Sequence, residues 1–198
     1  MKLKICGIKE EQNARELSAL DVDFLGLIFA KSPRQVDLQK AEFLAKIIHQ
    51  NSKKVIGVFV DESLEFILEA VKVAKLDGVQ IHSFISKSMF ELFKEKKLFV
   101  LQVISVGEKL QIPNEVYADM ILFDTKGKFQ GGNGVSFNHA LLKNFKKDFA
   151  IAGGIGLENI NEVKKLKPKL IDVNSKFENE QGLKDVEKIK QLIRELKI

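Results

Sequence analysis

The chain has 198 residues, 45% hydrophobic and 30% charged, which is typical of a soluble globular protein with a sizeable core. Its single cysteine excludes a disulfide within the chain, and its apolar runs are too short for a signal peptide or a membrane span, so we expect a cytoplasmic protein. The net charge of +5 comes mainly from lysines that alternate with acidic residues along predicted helices, a pattern that argues against nucleic-acid binding.

The first half of the chain alternates regularly between predicted strands and predicted helices. Strands are predicted at 2–8, 23–30, 54–60 and 78–82. Helices are predicted at 9–20, 38–48, 64–71 and 87–97. Ser63 is in the right place to cap the third helix.

The second half continues the alternation with one weak unit. Strands are predicted at 98–106, 119–124, 149–154 and 170–175, and helices near 136–146, at 157–167 and from Val186 to Leu196. The segment 107–118, which follows the fifth strand, contains Pro113 and lacks a clean helical face. We therefore expect the fifth helix to be weak or missing.

Eight strand–helix units in a chain of this length predict an α/β fold, a closed (β/α)8 TIM barrel formed by one domain over residues 1–198. The strands are apolar almost throughout, as in parallel sheets that are covered on both faces. A doubly wound open sheet with six or seven strands is the alternative.

In such a barrel the active site lies at the carboxyl ends of the strands, and polar residues stand at these ends. The first strand ends at Cys6-Gly7, and Arg34 follows the second strand. The later strand ends carry His82, Asp124, Gly153-Gly154 and Asn174-Ser175. Barrel closure would bring a thiol, a guanidinium, an imidazole and a carboxyl group to one face.

The last two strand ends are typical of a phosphate site. The segment 152–156 contains Gly153 and Gly154 and leads into a predicted helix, and 172–176 is its neighbour. Glycine lets backbone N–H groups approach an anion, and a helix N-terminus adds partial positive charge. A tight turn without a ligand would use the same glycines, so both interpretations stay open.

Two side chains are candidates for proton transfer. Asp124 ends an apolar strand, where burial would raise the pKa of its carboxyl and suit it to general-acid catalysis. Cys6 shares strand parity with Lys4, and in a closed barrel Asp172 would be near enough to pair with Lys4. We expect this cation to favour the thiolate of Cys6. An inert buried thiol and a loop-anchoring aspartate are the alternatives.

His82 is either a ligand contact or a hydrogen-bonded histidine at the rim. The three histidines of the chain are dispersed and have no metal-ligand spacing, so we expect no metal site. The sequence also lacks a Walker-type phosphate loop, a GxGxxG motif after the first strand and a serine nucleophile elbow.

Short motifs occur along nearly the whole chain in a specific order. They are KICGI (4–8), GLIFAKSPRQV (26–36), GVFV (57–60), VQIH (79–82), LFD (122–124), GGNGVSFN (131–138), AGGI (152–155), DVNSKFE (172–178) and GLKD (182–185). In this order they resemble the phosphoribosylanthranilate isomerase family of tryptophan biosynthesis. Each motif is weak alone, and their joint order makes the resemblance specific.

The resemblance implies a barrel that works without a cofactor. The family's reaction is an Amadori rearrangement of N-(5-phosphoribosyl)anthranilate to 1-(2-carboxyphenylamino)-1-deoxyribulose 5-phosphate. By resemblance Cys6 is the general base, Asp124 is the general acid and Arg34 holds the anthranilate carboxylate. The other residues implied to contact or support the substrate are His82, Gly153, Gly154, Asp172, Asn174 and Ser175.

Two other functions remain open at this point. One is a related barrel isomerase for another phosphorylated aminoaldose, and the other is a non-catalytic phosphosugar-binding barrel. The aminoaldose isomerase of histidine synthesis uses two carboxylates, whereas the first strand here ends in Cys6. The chain also has Lys176 where the family usually has glycine, which would add positive charge near a phosphate. We expect a phosphorylated small molecule as partner, and a monomer or homodimer.

Overall fold

The computed structural model describes residues 1–125, 138–143 and 145–196. In this part of the chain there are eight strands and six α-helices. The strands are Lys2–Cys6 (β1), Phe24–Ile28 (β2), Lys54–Phe59 (β3), Gly78–Ile81 (β4), Phe99–Val106 (β5), Met120–Thr125 (β6), Phe149–Ile151 (β7) and Leu170–Val173 (β8). The helices are Glu11–Ser18 (α1), Leu38–Gln50 (α2), Leu64–Ala74 (α3), Lys87–Glu95 (α4), Ile160–Lys165 (α5) and Val186–Leu196 (α6).

The eight strands are parallel and close into a barrel in which each pairs with the next and β8 pairs with β1. Closure confirms the predicted barrel and excludes the open sheet. In the register of β1, Lys4 lies opposite Phe24 of β2 on one side and Asp172 of β8 on the other. Because side chains alternate along a strand, Lys4 and Cys6 share the inner side of the barrel.

The barrel is covered by helices on its outer side, and the hydrophobic core fills the space between the two layers. All five residues of β2 are buried, as expected for a strand with both faces covered. The hydroxyl of Ser63 accepts the N–H of Phe66 at 3.2 Å, which confirms the predicted cap of α3. Helix α1 is shorter than the predicted 9–20.

The fifth unit has no helix. Residues 107–118 follow β5 in an irregular conformation, which confirms the prediction for this unit. Partly buried side chains of this segment, among them Val116 and Tyr117, pack against the core. They cover this part of the barrel in place of a helix.

The sixth unit differs from its prediction. Where a helix was expected near 136–146, the described part forms only a 3-10 turn over His139–Leu142, and positions 136, 137 and 144 lie outside the described residues. Phe145 packs edge-on against Phe123 and Phe149, with ring centroids 5.1 and 5.8 Å away. This aromatic packing, which a pattern count along the chain does not detect, favours the short turn over a longer helix.

Three aspartates join neighbouring strands at the amino-terminal end of the barrel. Asp23, Asp77 and Asp119 each precede an even-numbered strand. Their carboxylates accept the N–H of Leu3, Val55 and Val100 respectively, each at 2.8 Å. Each aspartate also donates its own N–H to the carbonyl of the same partner residue. This face of a barrel is associated with stability, and the paired bonds fit that role.

Candidate active site

A cavity of about 1180 Å³ opens at the carboxyl ends of the strands. It is lined by residues from the ends of several strands and the loops that follow them. All the side chains and glycines predicted for the site are in its lining, namely Cys6, Arg34, His82, Asp124, Gly153, Gly154, Asp172, Asn174 and Ser175. Barrel closure therefore brings the predicted positions together.

Cys6 ends β1 and lies directly above a buried ion pair. Lys4 Nζ is 2.8 Å from Asp172 Oδ2, and both side chains are buried, which confirms the pairing expected from strand parity. Gly26 on β2 leaves the space that these groups occupy. A Cβ atom at Gly26 would lie 3.0 Å from Cys6 Sγ and 3.2 Å from Lys4 Nζ.

The pKa of Cys6 is higher than expected, because burial has a larger effect on it than the nearby charge of Lys4. Burial raises the pKa of Cys6 above its ordinary value, and this effect exceeds the opposing effect of the Lys4 ammonium. Asp172 also raises the pKa of the thiol, whereas Lys184 lowers it. Lys4 thus favours the thiolate in direction, as expected, but desolvation is the larger influence.

Asp124 lies near the end of β6, three strands away from β1 around the closed sheet. The residue is only 7% exposed, and burial raises the pKa of its carboxyl to about 6, against the opposing hydrogen bond from the Thr125 N–H. Its Oδ1 accepts that N–H at 2.7 Å. Gly153 packs beside the carboxyl, since a Cβ atom there would lie 2.7 Å from Asp124 Oδ1. A carboxylic acid titrating near 6 is suited to proton donation close to neutral pH.

His82 follows β4 and lines the cavity beside Gln80. Burial, and after it the charge of Lys4, lower the pKa of His82 to about 4, so the imidazole is neutral at neutral pH. The Nε2 atoms of Gln80 and His82 are 3.3 Å apart. Gln80 was not predicted from the sequence as a residue of the site. Two features could have identified it: Gln80 is a polar residue in a short buried strand, and it has the same strand parity as His82.

Arg34 reaches the cavity from the loop after β2, but it is already paired. Its Nε and Nη2 donate to the two carboxylate oxygens of Glu178 at 2.6 and 2.8 Å. Glu178 Oε1 also accepts from Lys184 Nζ at 2.5 Å. The roles of Glu178 and Lys184 were not predicted from the sequence. The adjacent motifs DVNSKFE and GLKD contain them, yet nothing in those letters shows which cation meets which anion.

The loops after β7 and β8 form one side of the cavity. Gly153 and Gly154 have φ angles of +87° and +61°, values that residues with a side chain rarely adopt. Helix α5 begins at Ile160 rather than 157. The Asn159 side chain donates to the Gly154 carbonyl and accepts the Gly156 N–H, and these bonds keep the preceding residues in a loop. The expected helix N-terminus is therefore not adjacent to the glycines.

Strand β8 ends at Val173, earlier than predicted, so Asn174 and Ser175 enter a 3-10 turn over Ser175–Phe177. Lys176 Nζ lies 2.9 Å from Glu158 Oε1, an ion pair that joins the two loops. The positive charge expected at Lys176 is thus present near the cavity and has an acidic partner.

Within residues 1–125, 138–143 and 145–196, no three His, Cys, Asp or Glu side chains are grouped so as to hold a metal ion. Among the same residues, no helix is long and apolar enough to cross a membrane. The predicted GGNG motif at 131–134 lies outside the described residues. The described cavity combines a thiol and a carboxyl, on strands three positions apart, with cationic side chains at its rim. This arrangement is suited to acid–base chemistry on an anionic molecule.

Comparison with known proteins gives a consistent result. The family model described as N-(5'-phosphoribosyl)anthranilate (PRA) isomerase matches residues 3–195. A relative with the name N-(5'-phosphoribosyl)anthranilate isomerase, from Campylobacter jejuni, is 55% identical over 197 residues, covering 100% of this chain and 99% of the relative. The tryptophan biosynthesis protein TrpCF of Helicobacter pylori is 36% identical over 200 residues, covering 98% of this chain and 43% of that protein.

The solved structures agree with the sequence relatives. The phosphoribosyl anthranilate isomerase of Thermus thermophilus superposes with a TM-score of 0.86 at 27% identity, covering 99% of this chain and 98% of that one. The corresponding Pyrococcus furiosus structure has a TM-score of 0.82 at 25% identity, covering 100% and 98%. With a family model over nearly its full length and a 55% identical relative, this chain belongs to the N-(5'-phosphoribosyl)anthranilate isomerase family.

Proposed function

We propose that this chain converts N-(5'-phosphoribosyl)anthranilate into the corresponding 1-deoxyribulose 5-phosphate, with Asp124 as general acid and Cys6 as general base. The observation that carries the assignment is that these two groups line one cavity from strands three positions apart around the barrel. A thiol and a carboxyl on different walls suit two proton transfers at different atoms of one sugar.

The first step opens the sugar ring. Protonated Asp124 donates its proton to the furanose ring oxygen, the bond between that oxygen and C1 breaks, and the anthranilate nitrogen lone pair forms a C1=N bond. The raised pKa of Asp124, about 6, supports this role because part of the population still carries the proton near neutral pH.

The second step forms the enolamine. The Cys6 thiolate removes the proton from C2, the C2–H electrons form a C1=C2 bond, and the C=N electrons return to nitrogen. Tautomerisation of the enolamine then gives the ketone. The Lys4 ammonium supports this step because it offsets part of the cost of a buried thiolate, and Asp172 holds Lys4 in place.

The two anionic ends of the substrate require separate binding groups. Arg34 is proposed to bind the anthranilate carboxylate, for which a guanidinium has suitable geometry. In the loops after β7 and β8, backbone groups of Gly153 and Gly154 with the side chains of Asn174 and Ser175 are proposed to bind the phosphate. Neutral His82 is proposed as a hydrogen-bonding contact of the sugar or its substituent.

The test follows the fluorescence of phosphoribosylanthranilate generated in situ, with wild type beside Cys6→Ser. We expect kcat to fall about 100-fold or more, because a hydroxyl is a far weaker base than a thiolate. KM should change little, since the substitution preserves the size of the side chain. Rapid turnover by Cys6→Ser would remove Cys6 from its role, and an inactive wild type would mean another phosphorylated aminoaldose as substrate.

Three broader proposals accompany the assignment. The closed barrel supports one domain over residues 1–198. The lone cysteine supports a reducing, cytoplasmic location. A cavity built from residues of one chain supports an active monomer, or a homodimer in which each protomer has its own site.

A further inference from the structure

The guanidinium of Arg34 is held before any ligand arrives. Its Nε and Nη2 make two parallel hydrogen bonds to Glu178, and both side chains are largely shielded from solvent. A guanidinium has five N–H groups, so this pairing directs the Nη1 edge away from Glu178 and leaves it for another acceptor. The direction in which Arg34 can bind a carboxylate is therefore set by Glu178.

Glu178 also faces a second cation. The side chain of Lys184 is 1% exposed, and its Nζ donates to Glu178 Oε1 at 2.5 Å and to Asn174 Oδ1 at 2.6 Å. The backbone of Lys184 is fixed at both its N–H and its carbonyl by the Asn13 side chain, each at 2.9 Å. One carboxylate thus connects the side chain of Arg34 with that of Asn174, through Lys184.

Crowding over the end of β1 fixes the path of the arginine. Gly7 has a φ angle of +83°, and a Cβ atom there would lie 2.6 Å from Arg34 Cδ and 3.1 Å from Asn174 Oδ1. The stem of Arg34 and the amide of Asn174 therefore both pass over the residue next to Cys6. A small displacement of either side chain would change the space above the thiol.

The carboxyl of Glu178 is ionised at neutral pH. Burial alone would raise the pKa of its carboxyl, but Arg34 and Lys184 together hold that pKa below its ordinary value. Loss of this charge would leave Lys184 as a buried cation without its acidic partner and would free Arg34 to adopt other rotamers.

We propose that Glu178 is the positioning residue that aims Arg34 at the substrate's carboxylate and, through Lys184, holds Asn174, so that the cavity prefers ligands with a carboxylate at that end. The inference rests on the proposed role of Arg34. Glu178 itself need not touch the substrate. Its effect is expected in the preference between ligands rather than in the proton transfers.

The test compares two ligands that differ in one group. The first is reduced 1-(2-carboxyphenylamino)-1-deoxyribulose 5-phosphate, and the second is its phenylamino counterpart without the carboxyl group. Calorimetric Kd values are measured for wild type, Glu178→Gln and Arg34→Ala. Glu180→Gln, an exposed acid two residues away, is the matched control.

We expect wild type and Glu180→Gln to bind the carboxylated ligand about tenfold or more tightly than its counterpart. In Glu178→Gln this preference should fall to about threefold or less, close to that of Arg34→Ala. The double variant Glu178→Gln/Lys184→Met removes both buried charges together, so it guards against misfolding from an unpaired lysine. It should lose the same preference.

Two results would overturn the inference. A Glu178→Gln protein, or its double variant, that keeps the wild-type preference would show that Arg34 needs no positioning, and if both ligands also bind more weakly by the same factor, the role of Glu178 is merely structural. A larger preference would show that Glu178 competes with the ligand for Arg34. An absent preference in wild type would instead overturn the role of Arg34 itself.

Discussion

Burial acts on the two proton-transfer groups in the same direction but with opposite consequences. It raises the pKa of both Asp124 and Cys6. For the acid, a higher pKa keeps the proton available near neutrality. For the base, it disfavours the thiolate, and the buried cation Lys4, with a smaller contribution from Lys184, opposes this effect. The Lys4–Asp172 pair therefore joins β1 and β8 and also places a cation that favours the Cys6 thiolate.

The raised pKa of Asp124 predicts a cost to stability at high pH. The pKa rises from 3.8 to about 6 on folding, so the protonated form is the one that the folded state favours. This contribution is fully present below pH 3.8 and is lost as pH rises through about 6. Asp124→Asn, which stays neutral and keeps an oxygen for the Thr125 N–H, should gain stability over wild type by about 2 kcal/mol more at pH 8 than at pH 4.

Urea unfolding of the two proteins at both pH values measures this difference. The subtraction cancels the titration of all other groups. A constant difference between pH 4 and pH 8 would mean that the Asp124 carboxyl titrates in the folded protein as it does in the unfolded chain.

The influence of Lys4 on the thiol is measurable without the reaction. Cys6 is the only cysteine, so the pH dependence of iodoacetamide alkylation reports on this thiolate alone. We expect a midpoint above the ordinary thiol value of 9.0 in wild type. Lys4→Met/Asp172→Asn, which removes both charges and avoids an unpaired buried aspartate, should move the midpoint higher because the effect of Lys4 exceeds that of Asp172.

Lys2→Met is the matched control for this titration, since Lys2 lies on the same strand but is exposed at its start. It should leave the midpoint unchanged. A midpoint that stays in place in the double variant would contradict the assignment of Lys4 as the cation that favours the thiolate.

At the scale of elements, the barrel has different roles at its two ends. Its carboxyl end holds the cavity, whereas its amino end holds the aspartates that join strands in pairs. The pattern is present before β2, β4 and β6. Before β8 the position is Lys169, which makes the backbone bond to Phe149 but has no carboxylate to accept the return bond.

Asp23 offers a direct test of these strand junctions. Asp23→Ala leaves the Leu3 N–H without its 2.8 Å partner and should lower the free energy of unfolding by about 1–3 kcal/mol. Asp23→Asn keeps an acceptor oxygen and should lose less. Glu108→Ala, at an exposed position after β5, is the control and should change stability little. Equal stability of Asp23→Ala and wild type would show that water replaces the bond at no cost.

For the whole molecule, the distribution of charge matters more than its sum. Many of the lysines that contribute to the net charge of +5 have acidic neighbours. Lys94 pairs with Asp119 at 2.8 Å and Lys190 with Glu187 at 2.7 Å. In such pairs the charges cancel locally, so these lysines contribute little attraction to DNA phosphates.

We therefore expect no retention of the protein on immobilised duplex DNA at about 0.15 M salt. A strongly basic DNA-binding protein of comparable size serves as the positive control on the same column. Retention that falls steeply with added salt would show a basic surface that the ion pairs do not neutralise.

The sequence alone was sufficient for the order of elements and for most of the cavity. Eight apolar strands separated by helical patterns indicate a barrel, and residues at strand ends such as Cys6, His82 and Asp124 then share one face by topology. The elements that sequence reasoning misplaced, the helix near 136–146 and the start of α5, depend on packing of Phe145 and hydrogen bonds of Asn159 that follow from tertiary contacts.

The pattern of apolar and polar residues is a local property, so the sequence by itself determined the strand order, the parity of Lys4 with Cys6 and the strand-end residues at the cavity. Tertiary structure decided their partners and protonation. Arg34 meets Glu178 across 144 positions of the chain, a contact that no local period encodes. The balance of desolvation against the Lys4 charge at Cys6 was likewise set only when closure removed water from the barrel, because both effects depend on distance and burial rather than on order along the chain.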